Sequence, residues 1–185
     1  MSPKSPSNAL PGSIRQSPER TRIVYRPPWR VDVVQRAGIW SPLSASAIAA
    51  AVTGALDAAG APSPGSVTVV LTDDPELAEL NLEHMGIDGA TDVLSFPMLQ
   101  PDAFPSRKPG DGRRRTHFGD IAISVERAIE QAAEGRGGQT GDVSWSAEDE
   151  LRLLVTHGTL HLCGWDHAEP ADEAAMRAVE ARLSG

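Results

Sequence analysis

Residues 66–72 read SVTVVLT, and this short run decides the fold class. Its valines and threonines have β-branched side chains that favour extended backbone, and Pro64 and Gly65 stand immediately before it. An apolar run of this length, bounded by residues that interrupt regular structure, predicts a buried strand. The flanking sequence should therefore supply further strands and the helices that cover them.

Alternating strand-like and helix-like patterns extend in both directions from this run. The predicted strands are 22–25 (broken by Pro27 and Pro28 and resumed at 31–34), 66–72, 92–96 and 118–124, and the predicted helices are 44–59, one from residue 74, 124–134, one from residue 146 and 173–183. In the second helix, Asp74 is the expected N-cap, with Leu77, Leu80 and Leu82 facing the core. Together these elements predict an α+β fold, in which helices pack on a small mixed β-sheet.

Length, composition and charge limit the class of protein. The 185 residues fit a single domain over 21–185, and the Ser/Pro-rich residues 1–20 are expected to form a disordered tail. The net charge of −8 means that a polyanion would have to meet a local basic patch. The single cysteine, Cys163, excludes an internal disulfide and fits a reducing cytosol. With no apolar signal segment or membrane span in the sequence, we expect a cytoplasmic protein with no membrane partner.

Three of the five histidines lie in HGTLHLCGWDH, residues 157–167. Four residues of α-helix turn through roughly 400°, so His157 and His161 should project from one face, about 6 Å apart along the axis. Gly164 suits the left-handed residue that ends a helix, and the turn can bring His167 towards the pair. Three neutral imidazoles would hold one Zn²⁺ per chain and leave a coordination position open, as in catalytic sites. Nickel and copper also accept imidazoles, and three unrelated histidines are the alternative.

Two neighbouring residues refine this prediction. Metzincin proteases share this histidine spacing. In them a glutamate follows the first histidine and serves as general base and acid, whereas this chain has Gly158 at that position. The glycine counts against a peptidase but is tolerable in a nuclease, because RNA supplies its own 2′-hydroxyl nucleophile. A second interpretation is that a small residue is needed where substrate passes over the helix. Cys163 as a fourth ligand would close the site, so we expect it to pack as a small hydrophobe.

A general base has to be found elsewhere if one is used. The candidates are Asp166, Asp120 and Glu150, which the sequence does not position relative to the metal. Asp166 can equally orient a histidine or belong to the turn that ends the helix. Asp166 and Asp120 are the predicted catalytic residues.

HGTLHLCGWDH resembles the H-G-x-L-H-L-x-G-[YW]-D-H signature of the endoribonuclease YbeY family, the bacterial rRNA maturation factors. TDVLSFP (91–97) and GDIAIS (119–124) resemble two further blocks of that family, in the same order. The resemblance implies a small α+β metalloprotein whose three histidines hold zinc. It also implies cleavage of single-stranded RNA, with roles in maturing the 3′ end of small-subunit rRNA and in ribosome quality control. The expected partners are rRNA and the small ribosomal subunit, and no DNA is expected.

One position departs from the family pattern, and the RNA contacts must be sought among other residues. Met85 stands where many members carry an arginine that is thought to engage phosphate. Arg113, Arg114 and Arg115 cluster in a Pro/Gly-rich loop and are predicted to meet phosphate, the alternative being a solvated loop. Trp165, beside the third histidine, is predicted to offer a stacking face.

Three functions from different classes follow from these patterns. The first is a zinc-dependent endoribonuclease acting on rRNA, and the second is a non-catalytic ribosome-assembly factor that contains a metal. The third is a divergent zincin peptidase, which Gly158 disfavours.

Overall fold

The computed structural model describes residues 18–100, 103–104, 114–135, 145–166 and 169–184. The strands are β1 (Arg20–Arg26), β2 (Trp29–Gln35), β3 (Gly65–Thr72), β4 (Val93–Pro97) and β5 (Thr116–Ser124), and the helices are α1 (Ala45–Ala58), α2 (Asp74–Met85), α3 (Val125–Ala133), α4 (Ala147–Leu162) and α5 (Pro170–Ser184). The run that predicts a buried strand is β3.

The five strands form one mixed sheet in the order β1-β2-β3-β5-β4. Strands β2, β3 and β5 are parallel, and β1 and β4 run antiparallel to them at the two edges. The predicted α+β class with a small mixed sheet is confirmed.

The prediction of one interrupted strand at the start of the domain is wrong. Residues 20–26 and 29–35 are two antiparallel strands, in which Arg26 pairs with Trp29 and Arg20 with Gln35. Pro27 and Pro28 form the turn between them, because proline fixes φ and has no backbone N–H to give to a sheet.

The sheet is covered on both faces at its centre. On one face, Val69 of β3 and Ile121 of β5 belong to a core cluster with residues of α1, α3 and α4. On the other, Ala122 of β5 packs with Leu77 of α2 and Leu94 of β4. Successive residues of a strand point to opposite faces, so Ile121 and Ala122 mark the two sides of the layer.

Helix α2 departs from the prediction in two details. Its N-cap is Asp73, whereas Asp74 accepts a hydrogen bond from the Ser124 hydroxyl at 2.6 Å and so joins α2 to the end of β5. Leu77 is fully buried but Leu82 is 55% exposed. Five residues of helix turn through about 500°, which places Leu82 well away from the face of Leu77.

The boundaries at both ends of the chain also differ from the prediction. Residues 1–17 of the predicted tail lie outside the described residues, but Arg20 already belongs to β1, and Glu19 forms an ion pair of 2.8 Å with Arg36. Helix α5 begins at Pro170, three residues before the predicted start, and proline suits the first turn of a helix. No helix within the described ranges is long and apolar enough to cross a membrane.

Helix α4 lies close against the sheet at Gly158. A Cβ atom at this position would lie 2.8 Å from Cγ2 of Ile121, 3.1 Å from Oγ of Ser95 and 3.3 Å from Cγ2 of Val93. The Ser95 hydroxyl donates a hydrogen bond of 3.1 Å to the Gly158 carbonyl oxygen. The helix is thus held against β4 and β5 at a distance that only glycine permits.

Replacing this glycine tests the close approach. We expect Gly158→Ala to lower the free energy of unfolding by about 1–2 kcal/mol, because the branched side chain of Ile121 is buried in the sheet and cannot retreat. Chemical denaturation of the two proteins measures the difference.

Gly54→Ala in α1 is the matched control. Its Cβ would meet only the Cδ atoms of Leu183, the nearest at 3.3 Å, and these lie at the end of a flexible side chain. The better helix propensity of alanine should leave stability unchanged or raise it by up to about 1 kcal/mol. Equal effects of the two substitutions would contradict a steric limit at Gly158.

Candidate metal centre at the end of helix α4

Helix α4 carries two of the predicted metal ligands, and local interactions fix both of its ends. At the start, Ser146 and Asp149 form a capping box, in which each side chain bonds to the backbone N–H of the other. At the end, Gly164 adopts a left-handed φ of 83°, as its place in the sequence predicts. The helix therefore ends within a few residues of His161.

His157 and His161 lie side by side on α4. Their Nε2 atoms are 3.0 Å apart, and their ring centroids are 4.5 Å apart. Two nitrogens bound to one tetrahedral zinc at 2.0–2.1 Å would be about 3.3 Å apart. Two imidazole nitrogens this close need a proton or a metal ion between them, so the pair fits two ligands of a single cation.

A carboxylate holds the other nitrogen of His157. Oε1 of Glu180, on α5, lies 2.8 Å from Nδ1 of His157, and the Glu180 side chain is only 13% exposed. An ionised carboxylate can only accept, so Nδ1 carries the proton and Nε2 of a neutral ring keeps its lone pair. Metal-binding histidines commonly have such a partner, which fixes the tautomer and the ring orientation. A cavity of about 230 Å³ adjoins His157, Met176 and Glu180.

The third predicted ligand, His167, lies outside the described residues. Within the part of the chain that the structure describes, no three metal-ligating side chains come together. The complete three-histidine site stays a prediction, and the geometry of the two described histidines, His157 and His161, supports it.

Gly158 faces the sheet and not the histidines. A side chain added at this position would contact Ile121, Ser95 and Val93, so a glutamate here would enter the core. The interpretation that a small residue is needed where substrate passes over the helix is wrong, because the constraint is packing beneath α4. The same packing excludes a protease-type base from this position.

Cys163 packs as a small hydrophobe, in agreement with the prediction. It is half-buried and lies against the main core cluster. Burial raises the pKa of the Cys163 thiol to about 12, so the neutral thiol is favoured over the thiolate that would bind a metal.

Asp120 lies on the other face of the sheet from α4, so its predicted catalytic role gains no support from the described residues and stays a prediction. Asp120 precedes Ile121 on β5 and so points to the opposite face of the sheet, where it pairs with Phe96 of β4 in the strand register. Its carboxylate lies 3.1 Å from Nε2 of His117. Because α4 packs on the Ile121 side, the sheet separates Asp120 from His157.

The other two candidate bases differ in their placement. Glu150 is buried in the first turn of α4 and accepts a hydrogen bond of 2.6 Å from the Trp145 indole. It precedes His157 by seven residues, about 10 Å along the helix, and serves the packing of the helix start. Asp166 is exposed just beyond Gly164, so its catalytic role stays a prediction.

The predicted RNA-binding residues do not form one surface in the described structure. Arg113 lies outside the described residues, and Arg114 and Arg115 are exposed before β5. The guanidinium of Arg115 lies over the ring of Tyr25 on β1, 5.5 Å from its centroid. Trp165 is half-buried and packs against the cluster of α1, α4 and α5, which gives it a structural role. Phosphate contact by the arginines and stacking on Trp165 stay predictions.

Glu180 is the site residue that the sequence reasoning missed. A signal was present, because Glu180 lies four residues after Met176 and three before Leu183, both of which pack in the α5 cluster. A carboxylate on the apolar stripe of a helix needs a partner. The partner is His157, 23 residues earlier, and no local pattern in the sequence identifies it.

Comparisons with known proteins agree with the resemblance carried by the motifs. A sequence model of the Endoribonuclease YbeY family matches residues 39–184. Endoribonuclease YbeY of Salinispora tropica is 37% identical over 155 residues, which cover 83% of this chain and 92% of that protein. Endoribonuclease YbeY of Symbiobacterium thermophilum is 43% identical over 131 residues, or 70% of this chain and 77% of that protein. Endoribonuclease YbeY of a Roseiflexus species is 46% identical over 121 residues, covering 65% and 69% respectively.

The family match includes β3, β4, β5 and all five helices, together with the histidine pair. The extent of that match and the identity to the Salinispora protein over most of both chains lead to one assignment: this chain belongs to the Endoribonuclease YbeY family.

Proposed function

We propose that this protein is a zinc-dependent endoribonuclease that cuts single-stranded RNA. Its substrate is rRNA in the small ribosomal subunit, where it acts in 3′-end maturation of 16S rRNA and in ribosome quality control. The observation that carries the proposal is the histidine pair, with its two Nε2 atoms 3.0 Å apart, in a chain of the Endoribonuclease YbeY family.

The residues around the pair fit one zinc ion per chain. His157 and His161 would hold it through Nε2, His167 would supply the third nitrogen, and Glu180 would keep Nδ1 of His157 protonated. A zinc ion bound there supplies a Lewis acid and a bound water whose pKa is about 7. Asp166, exposed beside the turn, is the remaining candidate to accept a proton from the attacking group.

A metal-containing ribosome-assembly factor without catalytic activity is the second candidate. It needs the same histidines but no proton acceptor, and the carboxylate of Glu180 beside His157 favours it as much as it favours the enzyme. A zincin peptidase is disfavoured, because position 158 packs against Ile121 and cannot present a base to a substrate.

RNA cleavage separates the two candidates. Under single-turnover conditions with a single-stranded rRNA fragment, we expect the purified protein to cut and His157→Ala to fall to the uncatalysed background. His117→Ala is the matched histidine control, because His117 lies on the opposite face of the sheet from α4 and should keep the wild-type rate.

Equal rates of cleavage by preparations of the wild type and of His157→Ala would show that a contaminating nuclease cuts the RNA. A protein that binds zinc but cuts no RNA, after contamination is excluded, would leave the assembly factor as the function.

Zinc affinity tests the ligands and their support independently of activity. We expect one zinc per chain, loss of binding in His161→Ala, and a zinc Kd raised by about 10- to 100-fold in Glu180→Gln, because the amide no longer fixes the His157 tautomer. Competition with a chromophoric chelator measures Kd, and circular dichroism checks that the variants fold.

Glu130→Gln is the matched control for Glu180→Gln. Glu130 is exposed on α3 and undergoes the same chemical change, so its zinc Kd should equal that of the wild type. Freshly purified protein with no metal and no zinc uptake would contradict the metal site. Identical Kd values for Glu180→Gln and the wild type would contradict the role of Glu180 alone.

A further inference from the structure

A cavity of about 530 Å³ lies between β1, β2 and the N-terminal end of α1. Apolar side chains such as Val33, Ile48 and Leu71 form its floor. Its polar lining consists of two arginines, three serines, one glutamine and the indole of one tryptophan: Arg20, Arg22, Gln35, Trp40, Ser41, Ser44 and Ser46. Among the described residues, no acidic side chain lines this cavity, which we call the β1–α1 groove.

The groove is basic although the chain as a whole is acidic. Arg20, Arg22 and Arg26 alternate along β1, so all three project towards the α1 side of the sheet. The guanidinium of Arg26 donates to the carbonyl and hydroxyl oxygens of Ser46, each at 3.2 Å, which ties β1 to the helix start. Arg20 and Arg22 are exposed and, within the described part of the chain, have no carboxylate partner. Their positive charge is thus available to a ligand.

The start of α1 adds to this positive potential. Ser44 caps the helix, and its hydroxyl and carbonyl oxygens accept from the N–H groups of Ala47 and Ile48. The N–H groups of Ala45 and Ser46 have no acceptor within the helix, and they lie at the positive end of the helix dipole. The first turn contains no acidic residue that would neutralise them.

Trp40 provides an aromatic surface beside these cations. Its side chain is 68% exposed, whereas most tryptophans are largely buried. An exposed indole face beside arginines is the arrangement with which proteins bind single-stranded nucleic acid, since bases stack on the ring and cations meet the phosphates. The groove therefore offers partners for both chemical parts of a nucleotide.

The groove is remote from the histidine pair. Helix α1 has 14 residues and is about 21 Å long. Its C-terminal half packs on the end of α4 through Ala55 and Leu160, whereas its N-terminal end borders the groove. At 3.4 Å per stacked nucleotide, the length of α1 corresponds to about six nucleotides. Arg20 and Arg22 precede the residues matched by the family model, whereas Trp40 lies within them.

We propose that the β1–α1 groove is a second RNA-binding site, in which Arg20 and Arg22 bind phosphates and Trp40 stacks on a base of the same single strand. The proposal rests on the proposed function, because the groove would hold RNA whose distal part reaches the histidine pair. Its role is docking and not chemistry.

Equilibrium binding of labelled single-stranded RNA to the zinc-loaded protein tests the groove, with 2′-O-methyl oligonucleotides in which the 2′-hydroxyl nucleophile is blocked. For an oligonucleotide of about 12 nucleotides, twice the estimated span, we expect Arg20→Gln/Arg22→Gln to weaken binding and to reduce the log–log salt slope by about 1.4, or about 0.7 for each lost contact. Trp40→Ala should weaken binding roughly 5- to 150-fold, the range of one lost stacking contact. An oligonucleotide of about four nucleotides is too short to span both sites and serves as the length control.

The conservative variant separates charge from structure. Arg20→Lys/Arg22→Lys keeps both charges and should keep the wild-type salt slope, whereas a merely structural role would make it behave like the glutamine variant. Thermal unfolding of all variants checks the fold, and since Arg20, Arg22 and Trp40 are exposed we expect Tm values equal to the wild type.

Superimposable isotherms and salt slopes for wild type and Arg20→Gln/Arg22→Gln would overturn the proposal. Loss of binding to phosphatidylserine vesicles with RNA binding unchanged would also overturn it, by assigning the arginines to a lipid surface. The outcome is independent of cleavage. If the wild type cuts no RNA but the groove variants bind RNA more weakly, the proposed enzyme is refuted and the groove proposal stands. If the wild type cuts RNA and the groove variants bind it as tightly as the wild type, only the groove proposal is refuted.

Discussion

Helix α4 and strands β4 and β5 are in contact at a place where there is no room for a side chain on the helix. The closest atom to a Cβ at position 158 would be a methyl group of Ile121, a residue anchored on the sheet on either side by strands β3 and β4. This contact sets the height and rotation of α4 above the sheet. Because position 158 faces the sheet, the adjacent His157 points towards α5, where its ring meets Glu180, and His161 lies beside it.

Two helices contribute different groups to the candidate metal centre. Helix α4 supplies two nitrogens at the spacing of two ligands, and α5 supplies the carboxylate that orients one of them. In the metzincin pattern the residue after the first histidine is an acid, which requires that position to face the substrate. Here the same position is used for packing, so position 158 cannot present a general base to a substrate.

Local patterns predicted most of this fold and part of the site. The β-branched run identified β3, Ser44, Ser124 and Ser146 marked helix starts, and Gly164 marked the end of α4, since each depends on a few neighbouring residues. The spacing of His157 and His161 predicted their proximity for the same reason. What local patterns left open depended on contacts between distant segments. The sequence did not position Asp120 relative to the histidines because it does not reveal which face of β5 meets α4, and Glu180 was missed because its partner lies on another helix.

The hydrogen bond between Glu180 and His157 joins helix α5 to helix α4. Helices at the end of a chain open locally more readily than elements at the centre of a core. Each local opening of α5 breaks this hydrogen bond and leaves the His157 ring without its carboxylate. The order of one imidazole ring on α4 is thus coupled to the local unfolding of another helix, and hydrogen exchange in α5 reports on both.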